Sequence, residues 1–382
     1  MEAYITALSS FLPNSPINND EMETILGLVD NIPSRTRRII LRNNKILQRY
    51  YAINPDTLLP THSNAQLTAE AIRGLRQNAD FDLDHIECLC CGTSSPDQLM
   101  PGHASMVHGE LSCGPCEVVS TAGICACGVT ALKHACMQVA LGETNNAVAT
   151  GSELSSSFMH ASMCGQVTPG RSQELQKQPA LSFDSDFLRW MLSDGAGAAF
   201  ISPTPATTGQ SLKVEWIDQI SSAHELDTCM YAGAIKTKTG KIKGWRNLPT
   251  LQDAIEQHAF LIKQDIKLLN EEIVTTAVDR TLLPIIKKRQ LTPEEITWFL
   301  PHYSSDYFRK RLYTRMEEKG FHIPYERWFT NLETKGNTGA ASIYIMLYEL
   351  FHSGRLKKGD KILCFIPESG RFTICYMLLS VI

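Results

Sequence analysis

Residues 120–153 read STAGICACGVTALKHACMQVALGETNNAVATGSE, and the interpretation of the whole 382-residue chain turns on this stretch. A small, apolar lead (Ala122, Gly123, Ile124) runs into Cys125. After it Leu132, Ala135, Val139 and Ala140 recur at helical spacing as far as Gly142, a residue suited to ending a helix. Cys125 thus stands at a predicted helix N-terminus, where backbone N–H groups and the macrodipole favour the thiolate. A free cysteine is more commonly a small buried hydrophobe, and this window alone leaves both readings open.

Repetition shifts the balance towards the first. Asn337 and Gly354 are as far apart as Cys125 and Gly142, and Ala340, Ile343, Ile345, Met346, Leu350 and Phe351 give the second interval a helical apolar face. A short apolar strand follows each helix, NAVAT (146–150) in one case and KILCFI (361–366) in the other. Two α/β halves on one plan, packed face to face, would bring Cys125 and Asn337 together where two central helices meet.

Several segments resemble the thiolase superfamily and, within it, the β-ketoacyl-acyl carrier protein synthase III group. These are YITALSSFLPNSPINNDEM (4–22), CGTSSPDQLMPGHASMVHGEL (91–111), the Cys125 stretch, SDGAGAAF (193–200), LTPEEITWFLPHYSS (291–305) and KGNTGAAS (335–342), in the group's order. The resemblance implies a thiolase-like fold with a five-layer α-β-α-β-α core, an N-terminal half over 1–202 carrying Cys125, and a C-terminal half over 203–382 carrying His302 and Asn337. It also implies the chemistry. Cys125 takes an acyl group from a carrier-bound thioester, its own N–H and that of Gly370 hold the oxyanion, and His302 and Asn337 stabilise the enolate of a second thioester, malonyl or β-ketoacyl, which attacks the acyl group in a Claisen condensation. His302 follows the apolar run TWFL, at a strand end where open α/β sheets bind ligands. Asn337 suits its part because an amide donates without titrating.

Departures from the group's pattern are informative. Tyr303, Ser304 and Ser305 replace the usual Gln, Ala, Asn after the histidine, making Tyr303 and Ser305 candidate substrate contacts. No tryptophan occurs in NIPSRTRRII (31–40) to meet a coenzyme A adenine, so an acyl carrier protein is the favoured donor and partner. Arg35, Arg37 and Arg38, and a second cluster of Arg309, Lys310 and Arg311, are candidate docking charges; clusters of this kind equally serve as solvated helix faces. PESGRF (367–372) puts Glu368 where common synthases have a glycine-rich loop. A general base acting on a second acyl or β-ketoacyl thioester and a structural strut paired with Arg371 or another basic residue are the two readings. This loop resembles that of ketosynthases of dialkylresorcinol and pyrone pathways. Met100 matches the group's residue that crosses a two-fold dimer interface to wall the partner's acyl pocket.

Composition sets outer bounds. Hydrophobic residues make up 43% and charged residues 20%, and a net charge of −4 gives no reason to invoke nucleic acid. Neither a transmembrane run nor a secretory leader is expected, and a cytoplasmic location with reduced cysteines follows. No resident cofactor is called for, since phosphopantetheine or coenzyme A arrives with the substrate. Zinc at Cys88, Cys90, Cys91, Cys113 and Cys116 is a rival reading, set aside because HIECLCCG (85–92) reads as a buried strand whose cysteines would not converge, so no metal is expected. Cys127 is expected to point away from Cys125. Residues 203–250 read as a crossover and a flexible entrance flap, and 251–289 as long helical cover for the second sheet. Besides condensation, an acyltransferase passing the Cys125 acyl group to an alcohol or amine, and a non-catalytic carrier-docking subunit, remain as alternatives.

Overall fold

A computed structural model describes residues 2–31, 33–77, 81–162, 187–237 and 239–382. Among these described residues nine strands form the principal sheet: β1 (Tyr4–Phe11), β2 (Cys88–Thr93), β3 (Glu117–Ala122), β4 (Ala147–Glu153), β5 (Gly195–Ser202), β6 (Leu212–Ser221), β7 (Trp298–Pro301), β8 (Lys361–Pro367) and β9 (Thr373–Val381). Their spatial order is β7-β8-β9-β6-β1-β5-β4-β2-β3.

The repeat predicted from helix spacing reappears as a repeat of pairing. In the first half β2 pairs in parallel with β3 and with β4, β4 pairs antiparallel with β5, and β5 antiparallel with β1. The second half substitutes a single parallel bridge, Phe299 to Trp328, for the first of these. It then follows the same scheme through β7–β8, β8–β9 and β9–β6. The halves join through two residue pairs, Tyr4 with Lys213 and Ile5 with Leu212, so one hydrogen-bonded sheet runs through both.

Side-chain alternation separates the layers. In β2, Cys88 and Cys90 enter the apolar cluster around the central helices, whereas Leu89 and Cys91 enter an outer cluster with Leu67 and Ile72 of α2 (Asn64–Gly74) and Ala104 and Val107 of α3 (His103–Leu111). In β9, Cys375, Met377 and Leu379 face the same central helices. Ile374, Tyr376 and Leu378 face a third cluster built with Leu269 and Ile273 of α5 (Ile266–Thr275) and Phe308 and Leu312 of α6 (Tyr307–Glu318). Helix, sheet, helix, sheet, helix is therefore the stacking order. Cys88 and Cys90 share a face, with sulfurs 3.5 Å apart, which corrects the expectation that strand geometry would separate them. Among the described residues no group of three or more metal-ligating side chains could hold an ion, and eleven cysteines are free. Cys164 lies outside the described residues.

The two central helices are α4 (Ala126–Leu141) and α7 (Ser342–Phe351). Apolar side chains surround α7, where Ile343, Tyr344, Ile345, Met346, Leu347 and Leu350 are all buried, the mark of a helix covered on every side. The α4 helix stops at Gly142 as expected. The α7 helix gives out before Gly354, at Phe351. Close approach at their N-termini depends on glycine: a Cβ at Gly128 would lie 2.5 Å from the Ala340 carbonyl oxygen, and one at Gly151 would collide with the same carbonyl. The Tyr344 hydroxyl donates to the Gly128 carbonyl across this contact at 2.8 Å. Gly151→Ala is expected to cost roughly 1–3 kcal/mol of stability through overpacking, read as a shifted denaturation midpoint. An unchanged midpoint would mean that the turn before α7 moves off β4 without cost.

Two expectations are corrected. Residues 203–250 are not all connection, because β6 lies within them and sits in the centre of the sheet; Lys238 of the expected flap is outside the described residues. Residues 251–289 form no single helix. They comprise a helix at Leu251–Glu256, a two-residue strand, α5, a π-helical segment at Thr276–Leu282 and a helix at Leu283–Arg289. No helix is long and apolar enough to cross a membrane among the described residues.

Candidate active site

At the junction of the halves lies a cavity of about 500 Å³. Cys125, His302, Asn337 and Glu368, far apart in sequence, all line it. Its polar lining also includes Ser94, Ser95 and Glu153, while Leu269, Ile273, Ala277, Phe308 and Leu312 are among its apolar lining.

Cys125 occupies the cap position of α4 immediately after the turn leaving β3, and is 7% exposed. Its electrostatics differ from the sequence expectation. Burial pushes the thiol up, and the carboxylates of Glu153 and Glu368 push it the same way, outweighing the helix start. The resting group is thus the thiol, and attack on a thioester must be coupled to loss of its proton. Cys127 does not reach the cavity, in line with expectation.

His302 follows the last residue of β7, with its backbone N–H donating to the Phe365 carbonyl of β8 at 2.8 Å. Burial lowers its imidazole from the usual 6.5 to about 4. The ring is therefore neutral, with one nitrogen donating and one accepting. Since the folded value lies below the unfolded one, protonation favours the unfolded chain: this group removes stability as pH falls from about 6.5 towards 4. The prediction is a turnover without an acid limb near pH 6.5, the fall attributable to His302 arriving only as pH nears 4. A midpoint near 6.5 that disappears in His302→Asn would overturn it.

Asn337 is held by its backbone on both sides. Its N–H donates to Met191 O and its carbonyl accepts from Ser193 N–H, each at 2.9 Å, which ties the turn to the end of the first half. The side-chain oxygen accepts from Gly339 N–H at 3.0 Å. That bond assigns the amide's orientation and leaves its NH₂ as the donor available to a ligand.

Glu368 is committed to the backbone of its own turn. Oε1 accepts from Gly370 N–H (2.5 Å) and Arg371 N–H (3.2 Å), and Oε2 from Thr373 N–H (2.9 Å) and, at 3.4 Å, Arg371 N–H. Gly370 N–H therefore points at a carboxylate and not at an oxyanion site, which corrects that part of the expected pair of donors. The strut role is likewise altered: the Arg371 side chain donates to Leu226 O, and backbone N–H groups take the place of a salt bridge. A carboxylate has about four acceptor positions, and this turn uses them, so a base role would require the loop to open.

Tyr303 lines the cavity. Ser305 does not; it is buried and accepts from Tyr307 N–H at 3.3 Å at the start of α6, while its neighbour Ser304 takes the lining position. Met100 is 80% exposed and apart from this chain's cavity. Arg37 is engaged with Glu23 at 2.6 Å and Asp20 at 3.3 Å. Arg309 stacks over Tyr325 and Arg311 over Tyr307, whereas Arg38 is exposed.

Glu153 is a cavity residue that the sequence does not single out, although it ends the stretch 120–153 that carries Cys125. A carboxylate closing the small, buried run AVATGS, at the end of a central strand, was the available signal. It is 2% exposed, and burial raises its carboxyl above the usual range against the pull of hydrogen bonds from Ser94, Ser95 and Ala340.

Comparisons with known proteins agree with this geometry. Residues 72–206 match the N-terminal domain of β-ketoacyl synthases, and residues 286–370 the C-terminal domain of 3-oxoacyl-[acyl-carrier-protein] synthase III. The chain is 24% identical over 369 residues to the β-ketoacyl-[acyl-carrier-protein] synthase III of Clostridium perfringens (strain SM101), covering 94% of each chain. It is 23% identical over 365 residues to that of Chlorobaculum tepidum, covering 95% of this chain and 94% of the other. Among solved structures, the tetronic acid condensing enzyme AbyA1 superposes with a TM-score of 0.76 at 17% identity over 99% of both chains. OleA of Xanthomonas campestris, in a structure with bound lauric acid and lauroyl-CoA, superposes with a TM-score of 0.72 at 18% identity over 100% of this chain and 99% of the other. The structural likenesses establish the fold as thiolase-like.

Proposed function

We propose that this chain, which is a β-ketoacyl-acyl carrier protein synthase III-like member of the thiolase superfamily and a carbon–carbon bond-forming acyltransferase, self-acylates on Cys125 with a medium or long acyl group. It then condenses that group with a second carrier-bound thioester, malonyl with loss of carbon dioxide or a β-ketoacyl unit. The observation that carries this reading is the convergence of Cys125, His302 and Asn337 on one cavity with much apolar lining.

The thiol attacks the donor thioester carbonyl, its proton leaves with the displaced carrier thiol, and the acyl group remains on sulfur. Neutral His302 and the NH₂ of Asn337 are the donors for the carbonyl oxygen of the second thioester, where negative charge develops as the enolate forms. Both are pre-set: one by burial, the other by its bond to Gly339. Attack of the enolate carbon on the Cys125 thioester forms the new carbon–carbon bond and expels the cysteine sulfur as thiolate, which regains its proton from water after malonyl decarboxylation, or by net transfer of the α proton that a β-ketoacyl unit loses on forming its enolate. Much of the cavity's lining is apolar, Leu269, Ile273, Ala277, Phe308 and Leu312 among it, which favours chains longer than two carbons. The donor is an acyl carrier protein. The arrangement of the protein is a homodimer in which exposed Leu99 and Met100, 69% and 80% accessible, meet the partner subunit.

The test is incubation with a series of acyl-carrier thioesters of increasing length, alone and then with malonyl- or β-ketoacyl-carrier, while following the mass of intact protein and of released product. An acyl adduct on the Cys125 peptide, consumed as a β-keto product appears, is the expected result. An adduct consumed only by an added alcohol or amine would replace condensation with simple acyl transfer.

A further inference from the structure

The mechanism above leaves Glu153 unused, although it touches both halves of the site. Its Oε2 accepts from the hydroxyls of Ser94 (2.6 Å) and Ser95 (2.8 Å), beyond the end of β2. Its Oε1 accepts from Ser94 N–H at 3.3 Å and, across the junction, from Ala340 N–H at 3.2 Å, three residues past Asn337. The direction of the Ser95 bond is fixed by its other partners: Ser95 Oγ accepts from Leu154 N–H and the Asn64 side-chain amide, so its own proton goes to Glu153. Four donors thus face one carboxylate, the complement of its charged form. Gly339, at φ +51°, lies against the same side chain, and a Cβ there would come within 2.7 Å of Glu153 Cγ. A buried charge with this many fixed donors ties down whatever supplies them, and here the suppliers are the β2 loop and the turn that carries Asn337.

We propose that Glu153 is a positioning residue that locks the Asn337–Ala340 turn onto the first half and sets its hydrogen-bonded carboxylate on the cavity wall that Cys125 shares. Its work is the alignment of the enolate donors with the acyl-bearing sulfur, and restraint of that sulfur until a substrate is bound. This role rests on the condensation reading above, and the test is arranged to separate the two. The charged or titratable groups around Cys125 are Glu153, Glu368, Cys375 and Cys127, with His302 and Arg371 also on the cavity wall; Asp194 is a further neighbour of Glu153.

Glu153→Gln tests the role by two readouts. Alkylation of Cys125 by iodoacetamide, followed by peptide mass across pH, is expected to be about tenfold faster at neutral pH in the variant, equivalent to a fall of about one unit in the thiol pKa. Condensation is expected to fall about 100-fold, the scale of a misplaced reacting group, with self-acylation changed less than tenfold. An alkylation profile identical to the parent's, with acylation and condensation reduced in equal proportion, would overturn the proposal by making Glu153 merely structural. Should Glu153→Gln fail to fold, Ser94→Ala removes only part of the cluster and is expected to move both readouts the same way by a smaller factor; no movement in either also overturns it. Because alkylation needs no acyl substrate, a parent protein that never self-acylates would sink the proposed function alone, and an unshifted alkylation profile would sink the Glu153 role alone.

Discussion

Cys125→Ala is expected to abolish the acyl adduct and to lower condensation by roughly four to six orders of magnitude, as when the nucleophile of a covalent mechanism is removed. The residue is buried among apolar neighbours in the central layer, so losing a single sulfur should change folding stability only on the order of 1 kcal/mol. A large kinetic effect with a small stability effect is the signature of chemistry at that atom. The measurement is intact-protein mass after exposure to acyl-carrier thioester, paired with product formation and a denaturation curve. Product at parental rates from the alanine variant would end the proposed mechanism, whatever became of the fold.

Asn337 carries the second large effect. Loss of one donor to a developing oxyanion costs about 10²- to 10³-fold, or roughly 3–4 kcal/mol, so Asn337→Ala should condense that much more slowly while still self-acylating. The alanine variant has a structural complication, because it strands the Gly339 N–H that now donates to the side-chain oxygen, at a cost of about 1–3 kcal/mol. Asn337→Asp removes the complication. It retains an oxygen for Gly339 and loses the NH₂, so it should keep the turn and still fail to condense. Condensation by the aspartate variant within a fewfold of the parent, sustained as pH is raised until the new carboxyl is ionised and can no longer donate, would show that no donation from residue 337 is needed. Measured by the rate at which preformed acyl-enzyme is consumed, the experiment is independent of the first half-reaction.

Legibility of the site followed how locally each residue's surroundings are determined. Cys125 could be found because its setting is a run of neighbours: strand, turn, helix, glycine. The repeat made Asn337 legible for the same reason, and His302 could be placed because it directly follows a short apolar strand. Ser305 was misassigned because a shift of one residue, to Ser304, depends on how α6 starts, and the capping bond to Tyr307 N–H exists only after folding. Gly370 was misassigned because a backbone N–H has no side chain to announce its partner, and the partner is Glu368, two residues away, only when the turn closes. The β6 strand was obscured by polar, turn-rich flanks, although its place between β9 and β1 is where the two halves join.

The sequence by itself determined the α/β class, the two-fold repetition of its plan and the three residues on which the chemistry is proposed to turn, because hydrophobic period, helix ends and motif spacing are properties of contiguous chain. Only the tertiary structure decided that Glu153 faces four donors from two halves, that Glu368 is satisfied by its own backbone, and that burial outweighs the helix start at Cys125. Those outcomes depend on desolvation and on hydrogen bonds between groups distant in sequence, and neither has a value until the layers have packed.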